Sequence, residues 1–307
     1  MAKLTPWALV QIIKEAVSAW IEDRAASMGA ALAFYSAFSL APLLIIAIAI
    51  AGLAFGAEAA RGAITGQLSG VMGTQGASAV QTMLEASHKP EQGIVASIIA
   101  IFTLWLGATS VFVELQDDLD RIWRAKSSLG SGVINFIRTR LLSFGMVLGI
   151  GFLLLVSLIV SSLLAAFTGS WGHYLPGTAF LLHAINFLIS FGVTTVLFAM
   201  IYKLLPNVEI DWHDVWIGSA VTAFLFNIGR AAIGLYLGQS ATTSTYGAAG
   251  AFVVLLLWLY YSAQIFLLGA EFTWIYANRF GSRVGQANPA HTKATEPEQT
   301  LARQLTA

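Results

Sequence analysis

Long apolar runs alternate with short charged segments along this chain, and the charge-free gaps mark out its elements. No Lys, Arg, Asp or Glu occurs between Arg24 and Glu58, Glu91 and Glu114, Arg140 and Lys203, or Arg230 and Glu271. A helix needs about 20 apolar residues, at about 1.5 Å each, to cross the hydrocarbon of a bilayer. The third gap holds 62 residues, enough for two crossings. The stretch from Gly169 to Gly177, containing Trp171, His173 and Pro176, supplies the turn between them. The runs are continuous rather than alternating and too long for barrel strands. In lipid every backbone amide needs an internal partner, which such segments obtain only as helices. The pattern therefore predicts an all-α polytopic membrane protein with six transmembrane helices, at about 32–56, 94–114, 141–167, 180–203, 215–237 and 248–276.

The flanks read differently. Within residues 1–24, Lys14 and Glu15 interrupt any signal-peptide core, while Thr5 and Pro6 suit a helix start. Leu9, Ile12, Ile13, Ala16 and Trp20 share one face, with Gln11, Lys14, Glu15, Ser18 and Glu22 opposite, which predicts an interfacial amphipathic helix. A soluble helix packed on a loop is the alternative. The loop at 57–93 is long for a connection and repeats apolar residues at helical spacing (Ile64, Leu68, Val71, Met72; Val80, Met83, Leu84) around Gly73–Gly76. Two short amphipathic helices are expected there, either capping the bundle or lying on the membrane. Between the flanks, 25–280 is the membrane domain, and the polar segment 281–307, with Pro289 and Pro297, is expected to be a disordered cytoplasmic tail.

Composition sharpens the membrane assignment: 57% of residues are hydrophobic and 10% charged, against roughly 25% charged in a soluble domain. Net charge is zero, so bulk attraction to nucleic acid has no support, and the absence of cysteine excludes disulfides and thiolate chemistry. Thirteen Lys and Arg fall in the N-terminal segment, the second and fourth loops and the tail, against two on the other side. By the positive-inside rule both termini are cytoplasmic, in an inner membrane.

Ionisable groups inside spans are costly and are functional candidates by default. Arg230 lies in the fifth span near its external end, with Asn227 three residues earlier on the same face; snorkelling is the competing account for the arginine. Glu114 and Glu271 fall near the cytoplasmic ends of their helices, where pairing with Arg121 or Arg279 is the bland reading. Gln264, two turns before Glu271, follows Tyr260 and Tyr261 in a polar stripe. Tyr35 and Ser39 precede Pro42, a proline placed to kink the first span. Tyr35, Ser39, Asn227, Arg230, Gln264 and Glu271 are thus the candidate pathway residues. Glu114, Asp117, Asp118 and Arg121 form a candidate cytoplasmic interface, read mainly as a solvated, salt-bridged helix. Gly145 and Gly149 form a GxxxG packing motif. His88, His173, His183, His213 and His291 lack metal-ligand spacing, and no phosphate loop, nucleophile elbow or dinucleotide fingerprint occurs. No catalytic residue, metal or cofactor is assigned.

Several stretches are shared with a known family. Ala31 to Leu43 (ALAFYSAFSLAPL), Leu115 to Trp123 (LQDDLDRIW), Tyr202 to Asn207 (YKLLPN), Tyr246-Gly247-Ala248, Leu257 to Ser262 (LWLYYS) and Leu268 to Phe272 (LGAEF) resemble motifs of the YihY/virulence factor BrkB family. The likeness runs over about residues 8–280, and departs from the family where an asparagine is expected near Asp120. The resemblance implies a multi-pass bacterial inner-membrane protein, with transport of lipid or envelope components as the expected role and no established catalytic residues. Some members were once labelled ribonuclease BN, but this chain has neither a metal cluster nor a basic groove to support that label. The expectation is a transporter or lipid permease, not an enzyme, with membrane lipids as partners and an anionic lipid or small molecule as substrate. A non-transporting membrane scaffold is the competing class. Oligomeric state is left open.

Overall fold

The structure, a computed structural model, describes residues 6–56, 110–125, 178–239 and 242–284, with helical positions scattered between 58 and 82. Every regular element among these residues is helical: α1 (Pro6–Glu22), α2 (Ala25–Phe55), α3 (110–122), α4 (Thr178–Leu204), α5 (Trp212–Gln239) and α6 (Thr242–Arg279). Three stretches are long and apolar enough to cross a membrane, Phe187–Leu204, Trp212–Ile233 and Phe252–Arg279, and Ala25–Leu40 is a shorter apolar one. Helices α4, α5 and α6 match the spans predicted at 180–203, 215–237 and 248–276, extended by a few residues. The predicted span 141–167, its Gly145 and Gly149, the turn at Gly169–Gly177 and most of 94–114 lie outside the described residues.

Helix α2 begins seven residues before the predicted span because its first turns pack on protein. Ala25, Met28 and Leu32 are buried with Leu267, Ala270 and Trp274 of α6. With 38 residues, α6 is about 57 Å long, well beyond a hydrocarbon core of about 30 Å.

Helices α5 and α6 approach closely through a reciprocal arrangement. The Thr222 side chain sits where a Cβ on Gly269 would be, and the Thr273 side chain sits where a Cβ on Gly218 would be. Each threonine hydroxyl donates to the glycine carbonyl four residues back on its own helix, Thr222 to Gly218 at 2.8 Å and Thr273 to Gly269 at 2.6 Å. Small residues let backbones approach where lipid supplies no hydrophobic drive for association. The internal bonds satisfy the hydroxyls without a partner across the interface. Tyr202 of α4 completes the seam, its hydroxyl donating to the Phe266 carbonyl at 2.7 Å and lying 3.2 Å from Thr222 Oγ1.

Helix α1 corrects one expectation. Ile12 and Ala16, predicted to face the membrane, are buried against Phe272 and Tyr276 of α6. Leu9 and Ile13 of the predicted face stay exposed, and the exposed apolar side continues through Val10, Val17 and Ile21, with Gln11, Lys14, Ser18 and Glu22 on the remaining side. A helix with one side on protein needs a second apolar side to lie at a membrane surface, and α1 has both. In the 57–93 loop, Ile64, Leu68 and Val80 pack against Ala37, Leu44 and Ile48 of α2 and Leu255 and Trp258 of α6. Its described part therefore packs on the sides of α2 and α6. Val71, Met72, Met83, Leu84 and Gly73–Gly76 lie outside the described residues.

Candidate functional site

One end of the bundle gathers segments far apart in sequence. Helix α1 ends at Glu22, and the chain turns into α2 through Asp23 and Arg24, with Arg24 left-handed at φ 58° and ψ 42°. Helix α3 ends in a similar corner. Arg124 N–H donates to the Arg121 carbonyl at 3.2 Å and Ala125 N–H to the Asp120 carbonyl at 2.8 Å, with Arg124 at φ 53°. These are the two bonds of a Schellman ending, whose left-handed position glycine usually takes. An arginine there costs roughly 1 kcal/mol, and its side chain supplies the reason it is present. The Arg124 guanidinium donates to Asp23 Oδ1 at 2.7 Å, joining the two corners.

Glu271 of α6 completes the group. It is fully buried, and neither carboxylate oxygen has a protein hydrogen-bond partner; Asp23 Oδ2 is in the same condition. Its electrostatic neighbours are Asp23, Arg124 and Glu22. The two carboxyl groups lie within hydrogen-bonding reach, although two carboxylates are both acceptors and form no bond until one carries a proton. Two turns earlier, Gln264 Nε2 donates to the Ala25 carbonyl at 3.3 Å, packed where Gly29 has no side chain.

Further polar links close the same end. Asp120 accepts from the Asn207 backbone N–H and from Asn207 Nδ2, both at 2.7 Å, tying the second loop to the fourth. Lys203 donates to the Ile210 carbonyl. Asp214, buried in the first turn of α5, accepts from Ser282 N–H and Oγ, each at 2.7 Å, and leaves no room for a Cβ on Gly281. The tail predicted to start at Gly281 thus has its first four residues in a turn fastened to α5, and Arg283 stacks on Trp274 at 5.0 Å. Residues from 285 onward lie outside the described set.

Of the predicted pathway residues, Gln264 and Glu271 are brought to this corner and the others are not. Ser39 donates to the Ser36 carbonyl at 3.1 Å and Asn227 to the Ala223 carbonyl at 2.8 Å, each within its own helix. Tyr35 is exposed and Arg230 half-buried. Gly229 packs on Tyr261 and Ile265, which sets Arg230 roughly 10–15 Å along α6 from Glu271.

Three pairing expectations change. Arg279 pairs with Glu15 of α1, not with Glu271. The guanidinium that reaches across from the second loop is that of Arg124, not Arg121. Asp118 is buried rather than solvated, because Leu119, Ile122 and Trp123 carry α3 into the core beside Trp274. Burial first, and then the charges of Glu114 and Asp117, against the opposing Arg121, push the Asp118 carboxyl up to about 7. Asp117 and Arg121 are exposed and Glu114 half-buried, in keeping with a surface role.

The residues gathered here lie within a recognised family pattern, the model of the family described as Virulence factor BrkB, which matches residues 16–294. The chain belongs to the virulence factor BrkB family. This BrkB-family chain is 28% identical over 251 residues to a UPF0761 membrane protein of Ralstonia nicotianae, covering 81% of the chain and 55% of that relative. It is 30% identical over 179 residues to one of Tolumonas auensis, covering 57% of the chain and 56% of that relative. It is 28% identical over 257 residues to one of Pseudoalteromonas translucida, covering 82% of the chain and 81% of that relative. The chain thus spans little more than half the length of the first two relatives. No solved structure matches it.

Asp23, Arg124 and Asp214 were missed in the sequence, although each had a signal. Asp23 and Arg24 are the last charges before a long charge-free run, and an Arg-Ala pair recurs at both corners. Arg124 stands between Arg121 and Lys126, where the sequence pattern suggests solvated charges rather than a partner for Asp23.

Proposed function

We propose that this membrane protein is a six-span permease of the bacterial inner membrane, with both termini cytoplasmic, which moves a lipid or other anionic envelope component. The observation that carries the reading is Glu271, a fully buried carboxylate on a spanning helix with neither oxygen bonded to protein. A group kept only for stability would be bonded or replaced by an apolar residue, because burying it unsatisfied costs several kcal/mol or about that order. Arg230, nearer the opposite end of α5, is the proposed attractant for an anionic headgroup, and the activity is read as non-enzymatic.

The polar end supports the topology. Ala25, Arg124, Leu204 and Gly281 all lie there, so the chain leaves it with α2, is back by α3, and returns again with α4. The spans that the charge gaps predict at 94–114 and 141–167 would add two crossings to the four of α2, α4, α5 and α6 and make six. The basic loops belong to this end, which supports a cytoplasmic position for it. Single cysteines at Ser78 and His173 should react with an impermeant maleimide in intact cells, and those at Ser127 and Thr295 should not. Labelling at Ser127 would reverse the orientation.

A membrane scaffold is the second reading, and a specific observation favours it: Ser39, Asn227 and Gln264 are each bonded to backbone rather than turned toward an open path. Purified protein in liposomes, assayed for movement of labelled anionic and zwitterionic lipids between leaflets, separates the two. The permease reading expects movement above protein-free vesicles, reduced at least severalfold by Arg230→Ala and partly restored by Arg230→Lys, which keeps the charge but not the bidentate fork. Rates equal to empty vesicles for every lipid would leave the scaffold.

A further inference from the structure

The group at the α1–α2 corner holds two carboxylates and one guanidinium. If both acids were ionised it would keep one negative charge in excess inside protein, and three of its oxygens, Glu271 Oε1 and Oε2 and Asp23 Oδ2, would remain without a donor. Buried charge of that kind is compensated in stable proteins, because leaving it bare costs several kcal/mol or about that order. The charged groups facing Glu271 are Asp23 and Glu22 from the α1–α2 corner and Arg124 from the end of α3. Glu22 is exposed and accepts from Ser18 at 3.1 Å, so it stands on the water side of the group. On α5, Asp214 is engaged by Ser282, and on α1 Glu15 is engaged by Arg279. Arg279 is thus taken by Glu15 and Arg283 lies over Trp274, and neither is among the charges that act on Glu271.

Two kinds of ligand would complete the group. A divalent cation needs about six or more oxygen ligands, and no set of three Asp, Glu, His or Cys is placed to hold one among the described residues. Gln264, the other side chain here with a free oxygen, is two helical turns from Glu271, about 10 Å along the axis. A proton needs only two facing oxygens. On one carboxyl it forms an O–H bond and donates to the other, and the remaining negative charge stays against Arg124.

We propose that Asp23 and Glu271 share one exchangeable proton, held beside the Arg124 guanidinium, and that this pair is the proton-coupling site of the protein. The proton arrives from and returns to water at the cytoplasmic end, past Glu22. Proton binding removes the excess charge that draws Arg124 in, so the α3 corner is held less tightly when the pair is loaded. Two left-handed arginines, each strained and each beside the pair, mark the corners whose geometry depends on that charge. The coupling half of the proposal rests on the permease reading; the proton site itself does not.

Infrared difference spectra of the full-length protein in lipid bilayers, recorded between acid and alkaline pH, test the site without any transport readout. The expected result is a carbonyl stretch of a protonated carboxyl group that shifts in deuterated water and disappears at high pH. Both Glu271→Gln and Asp23→Asn should abolish it, because the proton belongs to the pair. Asp118→Asn should remove a separate titrating band and leave this one. If Glu271→Gln does not fold, Asp23→Asn alone carries the test. A band that survives both substitutions, or one that ignores pH, overturns the proposal. So does a band that sodium displaces at constant pH, since the group would then be a cation site. A missing band with lipid movement intact sinks the proton site and leaves the permease. A titrating band without lipid movement under any condition leaves the site and sinks coupling.

Discussion

The end of the helical bundle that holds Glu271 adds a kind of polar bond that the rest of the described bundle does without. Away from the polar end, the side chains of Ser39, Thr194, Thr195 and Asn227 bond to carbonyls three or four residues back on their own helices. At the polar end, Thr222, Thr273 and Asn278 bond in the same way, but bonds also run between distant segments: Arg124 to Asp23, Asn207 to Asp120, Ser282 to Asp214, Gln264 to Ala25 and Tyr202 to Phe266. The first mode makes a helix self-sufficient in lipid and places no demand on its neighbours. The second makes each corner depend on another. Polar groups held by tertiary contacts can change state together, and polar groups held within one helix cannot. The difference sets apart the end that contains Glu271, where the proposed proton site lies.

The comparison breaks most readily at Arg124. Replacing it by glycine relieves the left-handed backbone while removing the cation from Asp23 and Glu271. If the ion pair dominates, Arg124→Gly should destabilise by about 3 kcal/mol, the low end for breaking a buried pair, since the Arg124 side chain is 31% exposed. Thermal denaturation in detergent reads this, and adding Asp23→Asn should recover part of the loss. A variant as stable as the parent would mean that the corner is held by packing alone. Next in size is the α5–α6 seam. Gly269→Ala places a Cβ in the Thr222 side chain and should cost about 1–3 kcal/mol, as overpacking does. Coupling it with Thr222→Gly should return much of that loss. A further loss in the double variant would show that the Tyr202 contact to Thr222, not the close approach, is what matters there.

Much of the fold was legible because charge is so costly in lipid. The gaps between charges, with the turn at Gly169–Gly177, placed α4, α5 and α6 to within about six residues. What they could not show is which apolar face meets protein, since Ile12 and Ile13 look alike to a hydropathy pattern and only packing on Phe272 and Tyr276 separates them. The site was half legible. Glu271 and Gln264 stood out as polar residues in an apolar run, whereas Asp23 and Arg124 sat among other loop charges that looked solvated. The Gly218/Thr222 and Gly269/Thr273 interlock was likewise invisible, because it is a relation between two helices. The GxxxG at Gly145 and Gly149, by contrast, is a pattern readable within one stretch of sequence.

Asp118 gives the smallest effect and the cleanest sign. In the folded protein, burial and the charges of Glu114 and Asp117 hold its carboxyl up to about 7, from an ordinary value of 3.8. Between those values the folded state keeps a proton that the unfolded chain has released. The folded state binds more protons in that window, so stability contributed by Asp118 is present below it and is lost as pH rises to about 7. Asparagine resembles the protonated acid at every pH. Asp118→Asn should therefore match the parent at the acid end and melt a few degrees higher at about pH 8, the gap opening across the window. Melting curves of the two proteins in detergent over that range would show it. The opposite outcome is informative about the comparison itself. If the asparagine variant is less stable at neutral pH, Asp118 is an ionised partner of Arg121, α3 carries the solvated salt bridge its sequence suggests, and the polar end is less buried than Leu119, Ile122 and Trp123 make it.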